Sequence, residues 1–374
     1  MVGNRGNLRD SRCSSRCFGA VSGFLLKLIR ESTGLTQVQL AEQLGVDVAS
    51  VQGWESGRRP LAALRAADLV RLQVQLLRRG AQPTLFATLD DAIHADLIIA
   101  ETVQAGGRLS KTNGHPLGTT VHQCTLSSLI TWPFTGIVPT PVRDLMTARA
   151  RRGPVPDRPT LTADERERFF DHLLMTADAT PREDTALARR QSIYMLGFDT
   201  RASTAEWLRV EHSRAMRDAG RTDQVPSWVV VRSSAVALAN SGDRDPLRAF
   251  LRHALATNRL EQANLNYWAY WVGEIDGVQV DDSFMGRIDP QGWSGGRLLA
   301  HLLELLHPGS GQAELDLHTV WSLLIAHPVL LSDRPRLRSA TASKIEELAG
   351  DRELNVQARR ELSDIAYAVR LAHW

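Results

Sequence analysis

The sequence predicts an all-α protein, in which a small amino-terminal helical domain precedes a larger helical body. Apolar residues recur at i, i+3, i+4 and i+7 along much of the 374 residues, a spacing that places them on one face of a helix. The one strand-like segment is Trp228-Val229-Val230-Val231, which fits the start of a buried helix equally well.

Composition excludes several classes of protein. No apolar run approaches the ~20 residues that a membrane-spanning helix needs. Three cysteines are too few for a disulfide framework and favour a reducing cytosol. The first 17 residues carry four arginines, but Lys27 interrupts the apolar stretch that follows, so we expect no secretory signal. We therefore expect a cytoplasmic protein whose residues 1–17 form a disordered tail.

The near-neutral total charge hides an uneven distribution. Residues 1–82 carry 12 basic and six acidic side chains, whereas the remainder carries 32 basic and 36 acidic ones. Basic charge gathered on one small segment is typical of contact with nucleic acid. An incidental excess on a solvated surface is the alternative, so the motif inside this segment has to decide.

Three short helices follow one another between residues 18 and 60. The apolar stripe of the first consists of Val21, Phe24, Leu25, Leu28 and Ile29. Gly34 ends this helix, because glycine adopts the left-handed conformation at low cost. Thr36 and Asp47 are the expected N-caps of the second and third helices, and Gly45 permits the sharp turn between them.

The spacing of core, cap and turn residues carries a family resemblance. The pattern is Gly34-Leu35-Thr36-Gln37-x-x-Leu40-Ala41-x-x-Leu44-Gly45-Val46, followed by Val51-x-x-Trp54-Glu55-x-Gly57-x-x-Pro60. It resembles the lambda-repressor/Cro (XRE) helix-turn-helix family over about Val21 to Leu77, and the chain is similar to large actinobacterial regulators of this type. The resemblance implies a helix-turn-helix fold, double-stranded DNA as the partner, and a place at the nucleoid.

The resemblance also implies which residues meet DNA, because the third helix of this family lies in the major groove. The implied DNA-binding residues are Gln37, Asp47, Val48, Ala49, Ser50, Gln52, Gly53, Arg58 and Arg59. Gln37 would anchor a phosphate at the start of the second helix, and Arg58 and Arg59 would lie against the backbone. Arg30 and Glu55 match positions that form a stabilising ion pair between the first and third helices.

Base readout by this third helix is expected to be modest. Val48 and Ala49 offer only apolar contacts, for instance to thymine methyl groups, and Gln52 is the one evident bidentate reader, suited to adenine. Gly53 weakens the helix and would allow close approach to DNA. We expect DNA shape or a homodimer on two half-sites to supplement this readout.

The remaining chain is expected to be helical throughout, and composition suggests its divisions. We assign residues 18–82 to the DNA-binding domain, 83–132 to a helical connecting region, the Pro-rich segment 133–160 to a linker, and 161–374 to a sensing or dimerisation body. Helix pairs of roughly 30–40 residues favour an α-helical bundle or a TPR/HEAT-like solenoid, without a repeat consensus.

A polar and aromatic stripe in the body is a candidate effector pocket. It consists of Asn264, Tyr267, Tyr270 and Trp271. An aromatic wall with a few polar groups would suit a small molecule or a peptide. The same spacing is also what the core of a helical body uses, and we favour core.

Two further patterns suggest chemistry only weakly. Residues 292–296 match the G-x-S-x-G pattern of serine hydrolases, but no buried strand precedes them. Cys13 and Cys17, together with His122 and Cys124, could offer metal ligands, although the first pair lies in the tail. We therefore expect no enzyme, no cofactor and no metal.

The sequence thus predicts a sequence-specific, DNA-binding transcriptional regulator with a helical body that binds an effector or forms oligomers. Double-stranded DNA, a second copy of the chain, and a small molecule, peptide or protein effector are the expected partners. The alternative is a protein-interaction scaffold whose amino-terminal helices do not bind DNA.

Overall fold

The computed structural model describes residues 19–105, 116–147, 157–179, 186–219 and 225–372, except residues 254, 256, 278, 280 and 281. Every regular element within these ranges is a helix, which confirms the all-α prediction. Residues 228–231 lie inside one of these helices, so the strand-like segment is helical. The predicted tail at 1–17 and the basic run at 149–153 lie outside the described residues. No helix in the described part is long and apolar enough to cross a membrane.

The chain divides into two compact units, of which the first comprises residues 1–104 and 128–166. Its helices are α1 (Ala20–Ser32), α2 (Gln37–Leu44), α3 (Val48–Glu55), α4 (Ala66–Arg78), nearly all of α5 (Thr84–Ala105), the second half of α6 (Cys124–Thr135), α7 (Arg143–Thr147) and the start of α8 (Ala163–Asp178). Short 3₁₀ turns lie at Leu61–Ala63 and Thr140–Val142. The four-part division drawn from composition stays a prediction.

Helix α1 is the centre of the first unit, because most of its side chains are buried. Phe24 meets the edge of the fully buried Trp132 on α6, with ring centroids 5.3 Å apart. The buried Asp96 on α5 accepts hydrogen bonds from the backbone N–H groups of Val21 (2.9 Å) and Ser22 (2.8 Å). Helices α5 and α6 therefore complete the core around α1, and a carboxylate satisfies the free amides at its N-terminus.

The second unit comprises residues 105–127 and 167–374. Its helices after α8 are α9 (Ala186–Leu196), α10 (Ala202–Ala219), α11 (Val225–Asn240), α12 (Asp245–His253), α13 (Asn258–Trp271), α14 (Gly296–Leu305), α15 (Ala313–Ala326), α16 (Leu330–Asp333), α17 (Pro335–Leu348) and α18 (Val356–Leu371). Further 3₁₀ turns lie at Pro116–His122, Asp282–Gly286 and Pro290–Gly292.

Packing in the second unit is that of a bundle. Helix α15 contacts α12, α13, α14 and α18, and α9 contacts α11. A solenoid would confine contacts to neighbouring repeats. The bundle is thus the form that the predicted helical body takes, and two apolar clusters fill it, one around α14, α15 and α18 and one around α11.

A charged bridge crosses the core between three helices of the second unit. His318 on α15 is held on both ring nitrogens, with Nε2 2.8 Å from Glu261 Oε1 on α13 and Nδ1 2.9 Å from Glu361 Oε1 on α18. Burial lowers the pKa of His318, but the hydrogen bonds and charges of the two glutamates outweigh burial and raise it to about 9. The imidazolium therefore ties α15 to both neighbours at neutral pH.

Candidate nucleic-acid interface

Helix α2 begins at a reciprocal cap. The Thr36 side chain accepts a hydrogen bond from the Gln39 backbone N–H (3.2 Å), while Gln39 Oε1 accepts one from the Thr36 N–H (2.9 Å). This capping box satisfies two amides that a helix start otherwise leaves free. The predicted N-cap Thr36 is confirmed, and the structure adds the hydrogen bond that Gln39 accepts in return.

A buried ion pair joins the three helices. Arg30 Nε on α1 donates to Glu55 Oε1 on α3 (2.5 Å), and Arg30 Nη1 donates to the Leu35 carbonyl oxygen (2.5 Å). The Gln37 side-chain amide donates to Glu55 Oε2 (2.7 Å) at the start of α2. The predicted ion pair between Arg30 and Glu55 is therefore present, and it also engages the amide that was expected to face a phosphate.

The backbones of α1 and α3 approach each other closely at Gly23. A Cβ added to Gly23 would lie 2.2 Å from the Trp54 carbonyl oxygen, a distance that real Cβ atoms do not reach. Only glycine fits at this crossing. Sequence reasoning missed Gly23, because a glycine inside a helical stripe looks like a weak position until the partner helix is known.

The residues implied to meet DNA lie together around α3, with different exposures. Asp47, Ala49, Gln52, Arg58 and Arg59 are exposed, Gln37, Val48 and Ser50 are half-buried, and Gly53 is buried. The exposed surface around α3 therefore presents one carboxylate, one amide and a methyl group, with two arginines three and four residues after the helix ends. Arg58 Nε donates to Ser56 Oγ (3.1 Å).

Arg59 lies along α3 and returns to its first turn. Its backbone N–H donates to the Gly53 carbonyl oxygen (3.0 Å), and Nη1 donates to Ser50 Oγ (2.9 Å). A Cβ on Gly53 would lie 2.9 Å from Arg59 Cδ and 3.1 Å from Cγ. The absence of a side chain at Gly53 thus leaves room for the Arg59 stem. The close approach of Gly53 to DNA stays a prediction.

The comparison with protein families decides the nature of these helices. The helix-turn-helix family model matches residues 26–72, from the middle of α1 into α4. These residues are a helix-turn-helix domain of the XRE type. A comparison with curated proteins and one with solved structures found no match.

The candidate effector residues outside the helix-turn-helix domain do not all converge. Asn264 is buried beside Arg232 and donates to Thr319 Oγ1 (3.2 Å), and half-buried Tyr267 stacks on Trp271 with ring centroids 6.2 Å apart. The Tyr270 ring packs instead on Phe284, with a centroid separation of 4.9 Å, and its hydroxyl accepts from the Gln279 N–H. Asn264 and one face of Tyr267 therefore lie beside Arg232, on the polar side of the stripe, while the three aromatic residues also pack against the apolar core. Sequence reasoning missed Arg232 on the polar side, since its partners are distant in the chain.

Hydrogen bonds to Glu274 hold residues 292–296, the segment that matches the serine hydrolase pattern. Ser294 Oγ donates to Glu274 Oε2 (3.0 Å), and Glu274 Oε1 accepts from the Arg297 N–H (2.5 Å) at the start of α14. A 3₁₀ turn precedes it, in place of the strand that a strained nucleophile needs. Of the four suggested metal ligands, Cys13, Cys17 and the His122 side chain lie outside the described residues, and Cys124 is half-buried at the start of α6. The described residues contain no group of His, Cys, Asp and Glu that could hold a metal.

Proposed function

We propose that the protein is a sequence-specific DNA-binding transcriptional regulator of the cytoplasm, associated with the nucleoid. The match of residues 26–72 to the helix-turn-helix family carries this proposal, since the family consists of DNA-binding regulators. The excess of basic side chains in residues 1–82 supports it, because phosphate contacts supply much of the affinity for DNA.

Helix α3 is the recognition element of the proposal. Its exposed face enters the major groove, where Gln52 offers two hydrogen bonds to adenine and Ala49 a methyl contact to thymine. Asp47 can accept a hydrogen bond from cytosine N4 at the start of the helix. Val48 and Ser50 lie at the edges of this face, so few side chains read bases directly.

Phosphate contacts flank α3. Arg58 is exposed three residues after the helix ends and can reach the backbone of one strand. Arg59 is held against Ser50 at the opposite end of α3, where its guanidinium can donate to a phosphate. The amide of Gln37 is already engaged by Glu55, so the contact that we assign to Gln37 comes from its backbone N–H at the start of α2.

The proposal includes a homodimer and an effector. Two copies on two half-sites would double the limited base readout of one α3. The helical second unit would supply the dimer contact, the effector site or both, and the polar side of the 264–271 stripe supports an effector site there.

Binding-site selection from genomic DNA tests the proposal. The purified full chain is compared with Arg58→Ala/Arg59→Ala and with a control of equal charge change, Arg336→Ala/Arg360→Ala, at two exposed positions of the second unit. We expect a discrete motif for the wild type and the control, an affinity that falls steeply with salt, and loss of enrichment in the first variant. A palindromic motif indicates the homodimer.

Two results contradict the proposal. No enrichment at low salt favours the scaffold alternative, in which the second unit binds a protein. Equal enrichment by wild type and Arg58→Ala/Arg59→Ala removes α3 and its flanks from the DNA contact.

A further inference from the structure

Three helices of the second unit bring charged side chains into its core, and a fourth adds polar and aromatic ones. We call Arg190 (α9), Arg232 (α11), Asn264 and Tyr267 (α13), and Asp316 (α15) the arginine cluster. Arg232 is 5% exposed, Arg190 4% and Asp316 1%. Charges that are this deeply buried are rare unless they are paired or serve a ligand.

Arg232 has no carboxylate partner among the described residues. Its Nε donates a long hydrogen bond to Asn264 Oδ1 (3.4 Å), and its guanidinium carbon lies 4.1 Å from the centre of the Tyr267 ring and 5.0 Å from that of Trp268. Burial lowers the pKa of Arg232, which expresses the cost of holding the cation there. Aromatic faces offset part of this cost, but they leave the terminal N–H groups without an anion.

The other charges of the arginine cluster compensate Arg232 only in part. Arg190 pairs with Asp282 of the 3₁₀ turn, so these two charges cancel. Burial raises the pKa of Asp316 to about 7 although Arg232 opposes the rise, and Asp316 Oδ1 has no hydrogen-bond partner. A pair of opposite charges in contact would satisfy each other. Among the described residues no salt bridge joins Arg232 to Asp316, which acts on the guanidinium only through its charge.

We propose that the arginine cluster is a binding site for a small monocarboxylate with an aromatic or planar apolar part. The carboxylate of the ligand pairs with Arg232. One guanidinium without a paired carboxylate calls for one negative charge. The half-buried rings of Tyr267 and Trp271 supply an apolar wall that solvent reaches.

This proposal names the class of effector that the proposed transcriptional regulator would bind. It rests on the proposed function only where it concerns the effect of the ligand on DNA affinity. Ligand binding itself is measured without DNA. Failure to bind a carboxylate and failure to bind DNA are therefore separate results.

Thermal unfolding and isothermal titration with benzoate test the site on the full chain, with benzyl alcohol as the uncharged counterpart. We expect benzoate, and not benzyl alcohol, to raise the Tm of the wild type and to quench tryptophan fluorescence. In Arg232→Met the affinity for benzoate should fall about tenfold or more, the loss expected for a charge-assisted pair. Arg232→Lys keeps the charge without the planar donor pair, and it should bind benzoate more weakly than the wild type.

A neighbouring arginine provides the matched control. Arg189 on α9 is also buried, but it donates a hydrogen bond to the Glu211 carboxylate (2.6 Å). This pair stabilises the fold. Arg189→Met should lower the Tm of the unliganded chain and keep the benzoate shift. Arg232→Met should keep or raise the unliganded Tm, because it removes a buried charge without a paired carboxylate.

Three results overturn the proposal. One is that benzoate does not raise the Tm of the wild type, and another is that it still raises the Tm of Arg232→Met. The third is a loss of unliganded stability in Arg232→Met as large as in Arg189→Met, which would make Arg232 structural. If Arg232→Met does not fold, that outcome also counts as the third result, and Arg232→Lys then shows whether binding depends on the guanidinium.

Discussion

Replacing Gly53 by alanine separates the stability of the helix-turn-helix domain from the placement of Arg59. The new Cβ would lie 2.9 Å from Arg59 Cδ and 3.1 Å from Cγ, so the arginine stem has to leave α3. Gly53 has no positive φ, and alanine is therefore compatible with its backbone. The substitution acts on an exposed side chain, whereas the helical core stays as it is.

The two contributions to stability nearly cancel. Alanine in a helix interior is favoured over glycine by about 0.5–1 kcal/mol. The hydrogen bond between Arg59 and Ser50 is worth on the order of 0.5–1 kcal/mol at an exposed position. We expect the free energy of unfolding to change by less than about 1 kcal/mol. A charge-assisted contact from Arg59 to a phosphate is worth about 1.5–3 kcal/mol, so DNA affinity should fall about tenfold to a hundredfold.

Fluorescence anisotropy on a selected operator and urea denaturation measure the two effects. The slope of log affinity against log salt should become shallower by about 0.9, as expected for one lost phosphate contact. Ser50→Ala is the matched variant, because it removes the same hydrogen bond and leaves the Arg59 stem packed over Gly53. Unchanged affinity in Gly53→Ala would refute the role of Arg59. A loss of stability of several kcal/mol would show that the clash involves more than a mobile side chain.

Three further substitutions test the buried charges. Glu55→Gln leaves the guanidinium of Arg30 without its carboxylate and should destabilise the chain by about 3–5 kcal/mol in urea denaturation; a loss below about 1 kcal/mol would contradict this. Asp96→Ala leaves two buried N–H groups of α1 unpaired, and each unpaired group should lower the free energy of unfolding by about 1–3 kcal/mol. Hydrogen exchange of the α1 amides should become faster. Unchanged exchange would mean that water replaces the carboxylate. The pKa of His318 is raised to about 9 in the folded chain, so its contribution to stability is complete below its unfolded value of about 6.5 and is lost as pH rises towards 9. Unfolding free energies measured across this window should decline for the wild type and stay flatter for His318→Gln.

The sequence alone determined the local architecture of the helix-turn-helix domain. Helix starts and ends follow from neighbouring residues, since a cap such as Thr36 and a turn glycine such as Gly45 act over three or four positions. The ion pair of Arg30 and Glu55 was predictable because the family pattern holds these two positions in register. The helical nature of the second unit followed from periodicity alone, which is the strongest local signal.

Only the tertiary structure decided which distant residues meet. Asp96 lies 75 positions after the amide that it caps, and nothing near it in the chain predicts that role. The Arg59 stem occupies the space over Gly53 because the chain turns back after α3. The arginine cluster draws its members from α9, α11, α13 and α15, and helical periodicity says which side of each helix is apolar without saying which helices pack together. Whether a charged side chain is buried or paired depends on that packing. The arginine cluster and the position of Arg59 along α3 could therefore be identified only from the fold.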